Sequence, residues 1–161
     1  MKKIITMMIL MAVGVASYSL VLFDDDFDQS GTNLAGWKRS ATTKVVKNTG
    51  SYKNGLASMK LSYNGSVETY INTSMFKDMV LTFKMAKTSL ETGEKVVCQY
   101  NTNGTWVTAK TLLNTATNGT LYSYTVNIPL CSILKIRFVL NGNATADYAY
   151  IDNVKLVGNR K

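Results

Sequence analysis

Beyond its first twenty residues the chain is a succession of short segments in which apolar and polar side chains take turns. Between Val80 and Ala86, Leu81, Phe83 and Met85 fall on one face. Leu134, Ile136, Phe138 and Leu140 alternate with Lys135, Arg137 and Val139, and Tyr122, Tyr124 and Val126 stand together against Ser123, Thr125 and Asn127. A period of two over such short runs marks a strand with one buried face. The same reading places strands at 21–28, 42–47, 56–62, 67–71, 80–86, 95–100, 105–110, 121–127, 134–140 and 147–157. Between them lie Tyr63-Asn64-Gly65-Ser66, Asn101-Thr102-Asn103-Gly104, Asn118-Gly119 and Asn141-Gly142-Asn143, residues that tolerate positive φ in tight turns. No long apolar stripe has helical spacing; residues 73–79 are expected to hold one short turn with Ser74 as its cap. The pattern predicts an all-β, two-sheet antiparallel sandwich as a single domain over 22–158.

The start departs from this pattern. Met1-Lys2-Lys3 precedes an apolar run from Ile4 to Val15, and small residues follow at Gly14, Ala16, Ser17 and Ser19. A basic head, an apolar middle and a small-residue exit read as a signal peptide over 1–16, with Ser19 as the later cleavage point. Its removal leaves no stable transmembrane span and places the domain outside the cell or at its surface. The net charge of +8 falls to +6 once Lys2 and Lys3 are gone. The remaining cations are dispersed, and no reading helix or aromatic RNA-binding motif accompanies them, so nucleic acid is not an expected partner. Cys98 and Cys131 are the two cysteines. In an oxidising compartment they either bridge two strands or stay apart as buried thiols.

The absence of His removes the Ser-His-Asp and Cys-His devices and every His-containing zinc site. Glu91 and Glu94 fall in a polar loop, and no pair of acids is nominated for glycoside hydrolysis. A noncatalytic protein is expected. The densest charge is Asp24-Asp25-Asp26-Phe27-Asp28. On an extended strand Asp24, Asp26 and Asp28 would share a face, where either solvent or a hard cation relieves their repulsion. In Ala149-Tyr150-Ile151-Asp152-Asn153-Val154-Lys155-Leu156, strict alternation cannot put Ile151, Val154 and Leu156 on one face, which predicts a bulge at Asp152 and Asn153. Asp152 there needs a basic side chain, backbone amides or a metal as partner.

The order of Asp26-Phe27-Asp28, Gly36-Trp37, Asn54-Gly55-Leu56-Ala57-Ser58-Met59-Lys60-Leu61, Asn103-Gly104-Thr105-Trp106, Lys135-Ile136-Arg137-Phe138 and Tyr150-Ile151-Asp152-Asn153-Val154 resembles the galactose-binding-like jelly rolls of secreted proteins. These include bacterial carbohydrate-binding modules and MAM-like adhesion domains. The resemblance implies a β-sandwich jelly roll with a structural calcium beside its first and last strands. By it, Asp26, Asp28 and Asp152 supply carboxylates and the backbone near Asn54 and Gly55 completes the shell. The chain departs from the pattern in carrying Asp where many relatives have Glu, with Asp24-Asp25 extra.

The resemblance also implies binding of a polysaccharide or glycoconjugate, and the aromatic residues give that a physical basis, because a sugar's C–H face stacks on a flat ring. Trp37, Tyr70, Tyr100, Trp106, Tyr122, Tyr124, Tyr148 and Tyr150 are numerous for one domain. Trp37 reads as core, and Trp106, beside an Asn-Gly turn, as a platform. Arg137 alternates outward from Ile136 and Phe138. Trp106, Tyr100, Tyr124 and Arg137 are the expected ligand contacts. The alternative is a structural or adhesion subunit that self-associates or binds a surface protein at the envelope or in a matrix.

Overall fold

The computed structural model describes residues 19–29 and 34–161, and the expected signal peptide lies outside them. Among the described residues there are eleven strands: β1 (Ser19–Asp25), β2 (Lys38–Arg39), β3 (Val45–Asn48), β4 (Ser58–Ser62), β5 (Ser66–Asn72), β6 (Phe76–Thr88), β7 (Lys95–Asn101), β8 (Trp106–Leu113), β9 (Tyr122–Ile128), β10 (Ile133–Asn141) and β11 (Tyr148–Arg160). They form the antiparallel sandwich that the alternation implied. One sheet, here sheet A, runs β3-β4-β11-β6-β9 with β1 also on β11; the other, sheet B, runs β2-β5-β10-β7-β8. No helix among the described residues is long and apolar enough to cross a membrane.

Strand β11 is the spine of sheet A. Its first residues, Tyr148–Ile151, pair with β4, and beyond the bulge its second half pairs with β1 on the same side, from Asp25↔Val154 to Ser19↔Asn159. The register against β6 slips between Asp152 and Lys155, and Asn153 sits at φ +48°. That slip resets the alternation, so Ala149, Ile151, Val154 and Leu156 all reach the core. It also leaves a notch between the end of β1 and the start of β4, at the level of Asp152.

The inner faces carry the aliphatic and aromatic residues of each alternating run. Phe83 from sheet A meets Phe138 from sheet B edge to face, with ring centres 5.2 Å apart, and Trp37 lies 6.0 Å from Phe138. Trp37 is buried, as its sequence neighbourhood suggested.

Four local expectations change. The first strand ends at Asp25 instead of continuing to 28, because Phe27 turns into the core at φ +59° and packs on Trp37. Asp24, Asp26 and Asp28 therefore do not line one strand face. The short turn expected in 73–79 is confined to 73–76, where the Phe76 N–H donates to the Thr73 carbonyl at 3.0 Å; it is not helical, Ser74 lies inside it with its N–H on Asn72 Oδ1, and β6 follows at once. β2 was missed because two residues have no period to read. Finally, Cys98 and Cys131 are free. Cys98 lies opposite Phe138 in the centre of sheet B, and Cys131 precedes Phe138 by seven residues, about 23 Å of extended chain. Sheet pairing thus rules out the bridge, and burial pushes the Cys98 thiol up.

Candidate functional site

Sheet B has one face in the core and one in solvent, and the pairing register assigns every side chain to one or the other. Ile136 and Phe138 point inward, so Lys135 and Arg137 point outward. One row of outward residues runs Lys38, Glu68, Arg137, Gln99, Thr108, from β2 through β5, β10 and β7 to β8. Its members are tied together: Arg137 Nε donates to Gln99 Oε1 at 2.7 Å, and Gln99 Nε2 donates to Thr108 Oγ1 at 3.1 Å. Lys38 lies 3.6 Å from Glu68. The next row runs Tyr70, Lys135, Asn101, Trp106.

The two rings of that second row are about 14 Å apart, three strand spacings, and differ in character. Tyr70 is 79% exposed, far more than an aromatic needs to be on a strand whose other face is core. Trp106 has the Arg137 guanidinium 4.0 Å above its ring, so one face of the indole is already taken by a cation. Two hollows flank the Lys38–Glu68 pair. The larger, about 280 Å³, is lined by Gly36, Lys38, Glu68, Thr69, Tyr70 and Lys135. The other, about 160 Å³, lies between Arg39, Ser40, Ser66 and Arg137. A shallow groove with an exposed ring and converging polar groups suits an extended, hydroxyl-rich ligand.

Of the four ligand contacts expected from sequence, Trp106 and Arg137 meet on this face. Tyr100 and Tyr124 do not join them. Tyr100 pairs with Ile136 and packs on the core from within the sandwich. Tyr124 belongs to the other sheet, stacked on Phe83 with ring centres 5.4 Å apart. Both were drawn inward by the same alternation that buries their neighbours. Tyr70, Glu68, Gln99 and Lys135 were not singled out from the sequence, although Tyr70 occupies the polar register of Val67-Glu68-Thr69-Tyr70-Ile71.

At the notch beside β11, six backbone amides are organised by acids. Asp25 accepts the Phe27 N–H at 2.9 Å and the Trp37 indole N–H at 2.7 Å, and Asp26 accepts the Asp28 N–H at 3.0 Å. Asp28 reaches across to the loop before β4, where its Oδ1 accepts from Leu56 and Ala57 at 2.6 and 2.8 Å. Asp152, fully buried, accepts from Asn54 at 2.6 Å and from Asn153 at 2.7 Å. Gly55 closes this loop at φ +96°, and a side chain there would collide with the Asp28 carboxylate. Burial first, then the negative charge of Asp28, raises the Asp152 carboxyl from 3.8 to about 6.

The expected trio of acids is therefore a pair. Among the described residues no three acidic or sulfur side chains gather at one point, and Asp26 is occupied with its own turn. The pair nevertheless suits a hard cation. The two carboxylates hold amides of one loop, Asp152 that of Asn54 and Asp28 those of Leu56 and Ala57, and the adjacent Asn153 Oδ1 is buried without a donor.

No protein-family model matches the chain, and no curated protein matches it in sequence. Solved structures do resemble it. A xylan-binding domain of carbohydrate-binding-module family 22 superposes with a TM-score of 0.62 at 12% identity, covering 90% of this chain and 96% of that one. A family 61 module in complex with β-1,4-galactotriose gives 0.61 at 14% identity, covering 78% and 90%. The K3 cleaved adhesin domain of Lys-gingipain from Porphyromonas gingivalis W83 gives 0.57 at 16% identity, covering 87% and 99%. The fold is the galactose-binding-like β-jelly roll seen in carbohydrate-binding modules.

Proposed function

We propose that the chain is a noncatalytic glycan-binding module that works outside the cell or at its surface, with the outer face of sheet B as its binding site and a structural calcium at Asp28 and Asp152. The observation that carries this is Tyr70, an almost fully solvated ring standing in a groove between polar side chains. A stacked sugar removes that apolar surface from water, while Glu68 and Gln99 accept hydroxyl protons and Lys and Arg donate. The fold shared with modules described as binding xylan and galactotriose supports the same reading.

The calcium would be held by the carboxylates of Asp28 and Asp152 with Asn153 and backbone oxygens of the Asn54–Gly55 loop. It would supply positive charge that fastens the two chain ends together, with no part in any reaction. The test of function is a broad glycan array followed by titration calorimetry on the best binder. Tyr70→Ala is expected to lower affinity at least tenfold, about 1.4 kcal/mol, and Trp106→Ala to lower it as well. Silence across the array overturns the reading.

A second reading, a subunit that self-associates, is favoured by β9. It pairs only with β6 among the described residues, has no bulge, and carries neither charge nor proline over its seven residues. The other outer strands are guarded: β8 by a bulge and Lys110, β1 by a bulge and two aspartates, β3 by Lys47 and β2 by its brevity. Its signature is a mass that grows with concentration in light scattering and returns to monomer in Thr125→Lys, with no sugar affinity.

A further inference from the structure

The charged groups of the proposed glycan face are nearly all cations, and this says which glycan it suits. Lys38, Lys95, Lys135 and Arg137 all project from the outer side of sheet B, with Glu68 as the one carboxylate among them. Arg39 lines the smaller hollow as well. The one ion pair on this face, Lys38–Glu68, is loose at 3.6 Å with the lysine 83% exposed, and so neutralises little. Arg137 is held by an amide and an indole, neither of which carries charge. Lys135 has no acidic partner among the described residues.

The rest of the molecule deepens the imbalance. Of the ten acids, six turn their carboxylates onto backbone N–H groups: Asp25, Asp26, Asp28, Glu94, Asp147 and Asp152. None of these six belongs to a strand of sheet B, whereas the described lysines other than the buried Lys87 keep some exposure.

Neutral sugar hydroxyls both donate and accept and make no use of unpaired positive charge. Carboxylate and sulfate oxygens only accept, which matches lysine and arginine. In the 280 Å³ groove, Tyr70 stands between Lys38 and Lys135, so a ring stacked on the tyrosine carries its substituents toward an ammonium on either side. We infer that this face takes an anionic polysaccharide, one whose pyranose units bear carboxylate or sulfate groups. The inference rests on reading the face as a glycan site and departs from the uncharged galactotriose of the family 61 complex.

The test is affinity electrophoresis and calorimetry of the purified protein with polygalacturonate, its methyl ester, dextran sulfate, neutral β-1,4-galactan and duplex DNA, at low and high salt. Polygalacturonate is expected to bind about tenfold more tightly than its methyl ester, an advantage that salt erodes. Lys38→Gln with Lys135→Gln, both at exposed positions, should shrink that ratio, and Tyr70→Ala should weaken polygalacturonate itself. Comparison with dextran sulfate tells carboxylate from sulfate. Equal affinity for the ester or for galactan overturns the anionic assignment and leaves the glycan face standing. Binding to DNA as strong as to polygalacturonate, or indifference to Tyr70→Ala, overturns it as well, since charge alone would then account for the result. Failure to bind any glycan overturns the underlying reading of the face.

Discussion

Phe138→Ala is expected to cost about 3–5 kcal/mol of stability, a large part of the roughly 5–15 kcal/mol that holds a domain folded. Phe138 is fully buried on β10, the central strand of sheet B, with Val67 and Cys98 as its register partners. Its ring meets Phe83 from the opposite sheet and Trp37 from the chain that closes one side. Truncation would leave a cavity bounded on both sides by hydrogen-bonded strands, which cannot collapse into it without breaking pairing. Urea denaturation measures the loss. Tyr124→Ala, on outer strand β9 and only partly buried, should cost distinctly less. A cost below about 1.5 kcal/mol for Phe138→Ala would show that the two sheets do not close on this ring.

The alternation that made Phe138 recognisable as core also located nearly every strand and the bulge in β11. Three apolar residues that cannot share a face must be separated by an extra residue, and Ile151, Val154 and Leu156 announced one. The same rule, applied to aromatic residues, would have sorted the binding face. Tyr100 follows Val96 and Cys98 at steps of two, and Tyr124 lies between Tyr122 and Val126, so both belong to apolar registers. Tyr70 shares its register with Glu68 and is the aromatic out of place. Attention to ring type in place of register favoured the wrong tyrosines.

Other features depended on which strands become neighbours, which local pattern does not encode. The distance between Cys98 and Cys131 follows from β7 pairing antiparallel with β10. The meeting of Asp28 with the loop before β4 requires β1 and β4 to occupy successive stretches of β11. The resemblance implied that the first and last strands lie together, and β1 pairs with β11. Asn153 drew notice only as part of the bulge; its buried, donor-less Oδ1 appears once the backbone there is folded at positive φ.

Calcium is expected to raise the melting temperature by about 8 °C. For a dissociation constant near 10⁻⁴ M, in the range of extracellular modules, a hundredfold excess adds about 2.7 kcal/mol, and each kcal/mol moves a domain of this size by about 3 °C. Without the ion the node has a distinct pH signature. Burial and the Asp28 charge raise the Asp152 carboxyl from 3.8 to about 6, so the native state binds a proton more readily than the unfolded chain. The contribution of this group is then fully present below about pH 4 and is lost as pH rises through about 6. Calcium would take the place of that proton by supplying the positive charge. Scanning calorimetry of chelated and calcium-loaded protein across this range should show the ion's benefit growing from pH 4 to pH 7, and Asp152→Asn should remove both the calcium response and this part of the pH slope. If chelator leaves the melting temperature unmoved at pH 7, or if Asp152→Asn responds to calcium as the parent does, the two carboxylates hold no cation. The amides of Asn54, Asn153, Leu56 and Ala57, with the charge of Lys84, would then offset their charge.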